Sequence, residues 1–211
     1  MMPRKVIALF VKEPVPGLVK TRLAADLGAH EACAVYRQLA DRAIQQVAAS
    51  GIPLVVFYHG RREGLPDGWQ QKARSLMPQT GCDLGQRMAA AFCTLFRENV
   101  EHAVLIGSDI PGIDAAYLHQ AFSLFDSHDI VIGPATDGGY CLIGFRQGSF
   151  APALFEGVRW STGQVLRQTL EAAERQTLKV GLLPALSDID TVNDLRRVAA
   201  EPGNASWLNT G

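Results

Sequence analysis

The chain has 211 residues, of which 47% are hydrophobic and 19% charged, and its 20 Lys and Arg nearly balance 21 Asp and Glu to leave a formal net charge of −1. Those proportions are those of an ordinary soluble globular protein of one domain, residues 1–211. The balance implies no basic face for nucleic acid or an anionic membrane, though a local basic cluster can still serve a small anionic ligand.

The first predicted element is a buried strand, Val6–Val11. It ends at Lys12 and is too short for a signal-peptide core or a membrane span, so the expected location is cytoplasmic. Lys12–Arg22, with Pro14, Pro16 and Gly17, reads as a loop. A long helix follows from about His30 to Ala49 and ends before Gly51. Leu54–Tyr58 is the second strand, and Arg61–Asp67 an exposed loop. Asp83–Arg97 is helical, with Leu84, Met88, Phe92 and Leu95 on one face and Asp83 as N-cap. Val104–Gly107 is a central strand. Asp114–Phe125 is a helix capped by Asp114. Asp129–Ile132 and Tyr140–Phe145 are strands joined through Gly138-Gly139, an antiparallel element. Ser161–Glu174 is a helix for which Ser161 or Thr162 is the candidate cap. Leu178–Leu183 is a strand and Thr191–Ala200 the last helix. Residues 201–211 read as a loose tail with Trp207 as an anchor. Strands alternating with helices indicate a Rossmann-like α/β fold, a mixed but mainly parallel sheet with helices on both faces.

Five loops could carry chemistry. The first, Phe10–Leu23, follows the first strand, where α/β proteins often hold phosphate. It has no GxGxxG. Lys20-Thr21 resembles the end of a P-loop, but Val19 stands where a P-loop has glycine. Three cations remain, Lys12, Lys20 and Arg22, which could meet phosphates or merely be solvated. In the second loop Asp109, after Ser108, ends the apolar run from Ala103; it is either a ligand group at a strand's carboxyl end or an ordinary turn residue. The third, Ser187-Asp-Ile-Asp-Thr191, offers Asp188 and Asp190 for a cation or for capping the last helix. The fourth, Gly133–Tyr140, carries Asp137-Gly-Gly, where glycines let backbone approach a ligand or simply make a hairpin turn. In the fifth, Trp160 is either a stacking surface or a half-buried core residue. Cys33, Cys82, Cys93 and Cys141 match no CxxC or zinc spacing and read as reduced thiols.

Taken in order, these stretches resemble the nucleotide-diphospho-sugar transferase (glycosyltransferase A-type) superfamily. More narrowly the chain resembles the DUF2064 family, also called radical-SAM/selenodomain-associated transferase 1. The matching segments are Phe10–Leu23, Asp83–Met88, Ile106–Pro111, Gly133–Gly144, Trp160–Thr162 and Asp188–Leu195. Lys12, Lys20-Thr-Arg-Leu23, Asp137-Gly-Gly and Asp188-Ile-Asp-Thr191 also resemble the phospholactate guanylyltransferase branch. The chain departs from typical sugar nucleotidyltransferases in lacking a Gly-Gly-rich first loop, and it has no Asp-x-Asp at Asp109.

The resemblance implies a metal-dependent transferase with a nucleotide-activated donor. Asp109 and Asp190 would hold Mg²⁺ or Mn²⁺ against the diphosphate. Lys12, Lys20 and Arg22 would add positive charge there, with Arg87 and Ser108 also on the nucleotide. Asp137 would be the acceptor base, and Asp109 would act in catalysis through the metal. Gly138, Gly139, Tyr140 and Trp160 would meet the substrate. Three functions stay open: glycosyl transfer from a nucleotide sugar to a small-molecule acceptor, nucleotidyl transfer from a nucleoside triphosphate to a phosphorylated acceptor with release of pyrophosphate, and a non-catalytic nucleotide-binding module.

Overall fold

The structure is a computed structural model, and it describes residues 4–200. Seven strands form one sheet: β1 (Lys5–Lys12), β2 (Leu54–His59), β3 (Ser75–Pro78), β4 (His102–Gly107), β5 (Ile130–Pro134), β6 (Tyr140–Arg146) and β7 (Val180–Leu182). Their order across the sheet is β3-β2-β1-β4-β6-β5-β7. β6 runs antiparallel to β4 and β5, while the remaining pairings are parallel. The predicted α/β class and the antiparallel element are therefore present, with β6 inserted between β4 and β5.

The central strands are apolar on both faces because both faces are covered. Ile7, Leu9 and Val11 point into one core with Tyr36, Ile44, Leu118 and Phe122. Those four come from α2 (Ala29–Ser50) and α5 (Ala115–Leu124). Val6 and Ala8 point the other way, into a core with Phe92, Leu95, Ala172 and Ala173, from α4 (Leu84–Arg97) and α6 (Val165–Arg175). A third cluster joins Leu23, Val35, Leu39, Ile189, Leu195 and Val198. It fastens α1 (Thr21–Leu27) and α7 (Val192–Ala199) to the start of α2.

Helix starts follow local chemistry. Asp83 accepts from Gln86 N and Asp114 from Tyr117 N, both as read from sequence. Other expectations are corrected. The predicted loop Lys12–Arg22 is not loop to its end, because Thr21 and Arg22 open α1. Residues after Asp67 form α3 (Asp67–Lys72), which leads into the edge strand β3. Trp69 anchors that helix: it is fully buried and donates from Nε1 to Asp41 Oδ1 at 2.5 Å. The helix expected from Ser161 begins at Val165, and its N-cap, Gln164, makes no side-chain cap bond. Ser161 instead takes a left-handed backbone, φ 60°. The expected tail at 201–211 and its Trp207 lie outside the described residues.

The chain leaves β1 toward β2 on one side, while β4 lies on the other. The strand order therefore reverses between β1 and β4, and ligands of open α/β sheets collect in the crevice beyond the carboxyl ends at such a point. The loop after β1 and the loop after β4 border it.

Candidate active site

Asp109 leaves the end of β4, and Lys20 reaches it from the loop after β1. Lys20 Nζ donates to Asp109 Oδ2 at 2.7 Å and to Asp190 Oδ1 at 3.5 Å. The Lys20 side chain is 5% exposed, whereas Asp109 and Asp190 are about one-third exposed. Burial works against the ammonium, but the carboxylates of Asp109 and Asp190 outweigh it and hold the lysine's pKa above its ordinary value. Lys20 also has a left-handed backbone, φ 47° and ψ 48°. Such a conformation costs a non-glycine residue about 1–2 kcal/mol and persists where surrounding structure over-determines it. Arg22, the second residue of α1, donates from Nη1 to Asp190 Oδ2 at 2.8 Å.

Two carboxylates follow β7. Thr191 caps α7 reciprocally with Asp194 in a capping box. Capping of α7 thus needs neither Asp188 nor Asp190. Ile189 between them is fully buried, and its N–H donates to Asp109 O at 3.2 Å. That bond ties the segment to the end of β4. Asp188 is half-buried. Burial first, and then the nearby charge of Asp109, push its carboxyl pKa up, with Asp137 and Asp190 adding to the effect. The sequence offers Asp188 beside Asp190 in an Asp-x-Asp spacing, and each of the two lines a cavity, Asp188 the first and both the second.

Asp137 stands on the rim, where Oδ1 accepts from Gly139 N at 2.9 Å. Its loop is joined to the segment after β7 by the hydroxyls of Thr136 and Ser187, 3.0 Å apart, and by Thr136 N donating to Leu186 O. A cavity of about 260 Å³ opens beside these groups, lined by Asp109, Asp137, Asp188, Tyr140, Trp160, Met88 and others. A second, of about 290 Å³, shares Asp137 and Asp188 with it and adds Arg22, Asp190 and Arg197.

Trp160 is partly buried. It packs with the core under α4 and α6 and also lines the first cavity. Tyr140 meets it edge-on, with ring centroids 6.4 Å apart and planes at 89°. Gly85 makes room for the indole, since a Cβ there would lie 2.7 Å from Trp160 Cζ2. Gly138 has φ 89°, and a Cβ on it would lie 2.4 Å from Gly163 O, so this glycine lets two loops touch. Gly139 lines the cavity.

Three predicted residues sit elsewhere. Ser108 is buried, and its hydroxyl donates to Tyr36 Oη at 3.4 Å. Tyr36 in turn is held by the backbone of Lys12, and burial pushes its phenol up to about 12. Lys12 and Arg87 line neither cavity. They lie close enough to His59 that, after burial, their positive charges hold its pKa down. Arg87 also donates from Nε to Gly81 O at 3.1 Å and so braces the loop before α4.

The donor set suits a hard cation. Mg²⁺ and similar ions are commonly held by one or two carboxylates with substrate phosphates and water completing the shell. Asp109 and Asp190 already converge on one cation, the ammonium of Lys20. Among the described residues no group of three or more His, Cys, Asp or Glu is placed to hold a metal ion by itself.

The sequence profile of DUF2064, described as "Uncharacterized protein conserved in bacteria", matches residues 41–162. A solved structure from Desulfovibrio desulfuricans G20, provisionally described as a nucleotide-diphospho-sugar transferase, is 37% identical and superposes with a TM-score of 0.90 over 98% of this chain and 90% of that one. A 4-diphosphocytidyl-2C-methyl-D-erythritol synthase from Anaerococcus prevotii DSM 20548 is 10% identical, with a TM-score of 0.62 over 97% and 99% of the two chains. Rv0371c from Mycobacterium tuberculosis H37Rv, in complex with manganese, is 15% identical with a TM-score of 0.52 over 92% and 97%. At these two low identities the likeness is one of fold. No curated protein matches the sequence.

Proposed function

The chain belongs to the DUF2064 family, and from that premise we propose that it is a transferase that draws on a nucleotide-activated donor, a nucleotide sugar, with Mg²⁺ or Mn²⁺. The observation that carries this reading is the meeting of Asp109, Asp190 and Lys20 in the crevice between β1 and β4. Fixed opposite charges at a crevice of this kind suit a diphosphate and its counter-ion. Asp109 and Asp190 would hold the ion, which when bound supplies charge stabilisation to the departing diphosphate. Lys20 and Arg22 contribute positive charge beside it.

Glycosyl transfer to a hydroxyl needs a proton acceptor, and Asp137 stands on the cavity rim in that role. The acceptor oxygen attacks the anomeric carbon and gives its proton to Asp137. The bond from that carbon to the diphosphate breaks, and the nucleoside diphosphate leaves with the electron pair. Nucleotidyl transfer is the second reading. The two cations that converge on Asp190 suit the larger charge of a triphosphate, and that reading needs no base for an acceptor phosphate that is already ionised.

A thermal-shift panel of nucleotide sugars and nucleoside triphosphates, each with and without Mg²⁺ or Mn²⁺, tests the proposal. Ligand at 100 times its Kd adds about 2.7 kcal/mol to stability. A metal-dependent shift with nucleotide sugars alone supports glycosyl transfer. A shift with triphosphates alone, followed by pyrophosphate release, supports the second reading. No shift with either leaves a binding module without transferase chemistry.

A further inference from the structure

The cavity beside Asp109 differs in charge from the crevice that holds Lys20. Its lining includes three carboxylates, Asp109, Asp137 and Asp188, and no Lys, Arg or His. The cations near it are paired with carboxylates: Lys20 is buried against Asp109 and Asp190, and Arg22 and Arg197, which line the second cavity, pair with Asp190 and Asp194. The rest of the wall is apolar and aromatic, built from Phe10, Leu84, Met88, Tyr140 and Trp160.

Carboxylates beside low-dielectric walls focus negative potential and repel an anion. A phosphorylated or carboxylated acceptor would meet like charge there, since the single charge of Lys20, shared between Asp109 and Asp190, offsets only part of the charge of the three lining carboxylates. Hydroxyl groups, by contrast, can donate to the carboxylates, and an ammonium would be drawn to them. The exposed part of the indole suits the apolar face of a ring or, for an ammonium, a cation–π contact. Size agrees, since a cavity of about 150 Å³ already accepts benzene and this one is about 260 Å³.

We propose that the acceptor is a small hydroxyl compound free of phosphate and carboxylate, neutral or ammonium-bearing, whose ring or apolar face packs on Trp160. The inference rests on the transferase reading above. It names the compound whose oxygen takes the glycosyl group while its proton passes to Asp137, and it excludes the phosphorylated acceptors that the nucleotidyl reading requires.

Three probes share a phenyl ring and differ in charge: tyramine, phenyl β-D-glucopyranoside and phenyl phosphate. Their affinities would be measured by calorimetry on the full chain in EDTA, with no nucleotide present. The expected ranking places tyramine and the glucoside at least tenfold tighter than phenyl phosphate, with Trp160→Phe weakening both. In Asp137→Asn, checked for folding by circular dichroism, phenyl phosphate gains at least threefold and tyramine loses as much. Phenyl phosphate binding as tightly as tyramine overturns the proposal, and so does failure of both tyramine and the glucoside to bind. The probe ranking needs no donor, so a failed donor reading shows separately, as the absence of any nucleotide-dependent thermal shift in the same preparation.

Discussion

Lys20 Nζ lies 2.7 Å from Asp109 Oδ2, and Lys20 carries a left-handed backbone to put it there. The lysine's single charge is shared by two carboxylates that converge on it. Replacing it by methionine keeps the bulk and removes the charge. Lys20→Met is expected to cost about 1–3 kcal/mol in urea unfolding at pH 7. Loss of one partner from a fully buried pair costs about 3–5 kcal/mol, and the exposure of the carboxylates reduces that. The folded pKa of Lys20 is raised, so its contribution is complete below the unfolded lysine value, about 10.4, and is lost as pH rises through the folded one. The difference between variant and wild type should therefore persist across neutral pH and shrink only in strong alkali.

Arg22 makes a comparable bond to Asp190, but its side chain is 70% exposed. Exposed pairs contribute about 0–1 kcal/mol. Arg22→Ala should shift the urea midpoint little. It should nonetheless weaken nucleotide-dependent stabilisation in the thermal-shift panel if the cation removed meets the donor phosphates, as the proposed function requires. An unchanged nucleotide shift would remove Arg22 from the donor site.

Asp109→Asn keeps shape and removes one carboxylate charge. The fold should survive, since Ile189 N–H is held by the Asp109 backbone oxygen rather than its side chain. Metal dependence of the nucleotide shift should disappear. If Mg²⁺ or Mn²⁺ still enhances nucleotide binding in this variant, Asp109 is not an ion ligand.

Asp188 is expected to behave oppositely to a stabilising carboxylate. Burial and the charge of Asp109 raise its folded pKa. Its contribution is favourable below the unfolded aspartate value, about 3.9, and is lost as pH rises through the folded value. At neutral pH the ionised group therefore opposes folding. Asp188→Asn should stabilise the protein by about 0.5–2 kcal/mol at pH 7, the gain common when functional strain is relieved. In acid urea titrations the gain should vanish.

Gly85 tests the cavity wall. A methyl there would lie 2.7 Å from Trp160 Cζ2 and 2.9 Å from Phe155 O. Gly85→Ala should cost about 1–3 kcal/mol by overpacking. The near-ultraviolet circular dichroism of Trp160 should change, whereas the same spectrum of Gly85→Ala in a Trp160→Phe background should match its parent.

Much of this was legible along the chain. The apolar runs at β1 and β4 announce strands covered on both faces, and Asp83 and Asp114 announce helix starts because their side chains have no better local use. α1 was hidden by the prolines and glycine before it and by Lys20, whose left-handed turn has no propensity signal. α3 and β3 were hidden because they are short and held by tertiary contacts, Trp69 for the helix and pairing with β2 for the strand. At the site, Asp109 could be singled out as a carboxylate at a strand end, and Asp190 through the family resemblance. That Lys20 would lie between them could not, because periodicity carries no information about pairs so distant. Ser108 shows the converse: it neighbours Asp109 in sequence, yet its hydroxyl faces the core.

The bridge from Lys20 to Asp190 spans 170 positions of the chain. Closing so long a loop is slow relative to local pairing and costs entropy before any contact repays it. During synthesis the first half of the sheet can form while Asp190 has not yet emerged. The lysine then waits with only Asp109 as a partner, and its buried seat is completed when α7 docks on α1. Competence therefore arrives with the last helix, and a chain stopped before Asp190 would carry all seven strands described but an unfinished charge cluster.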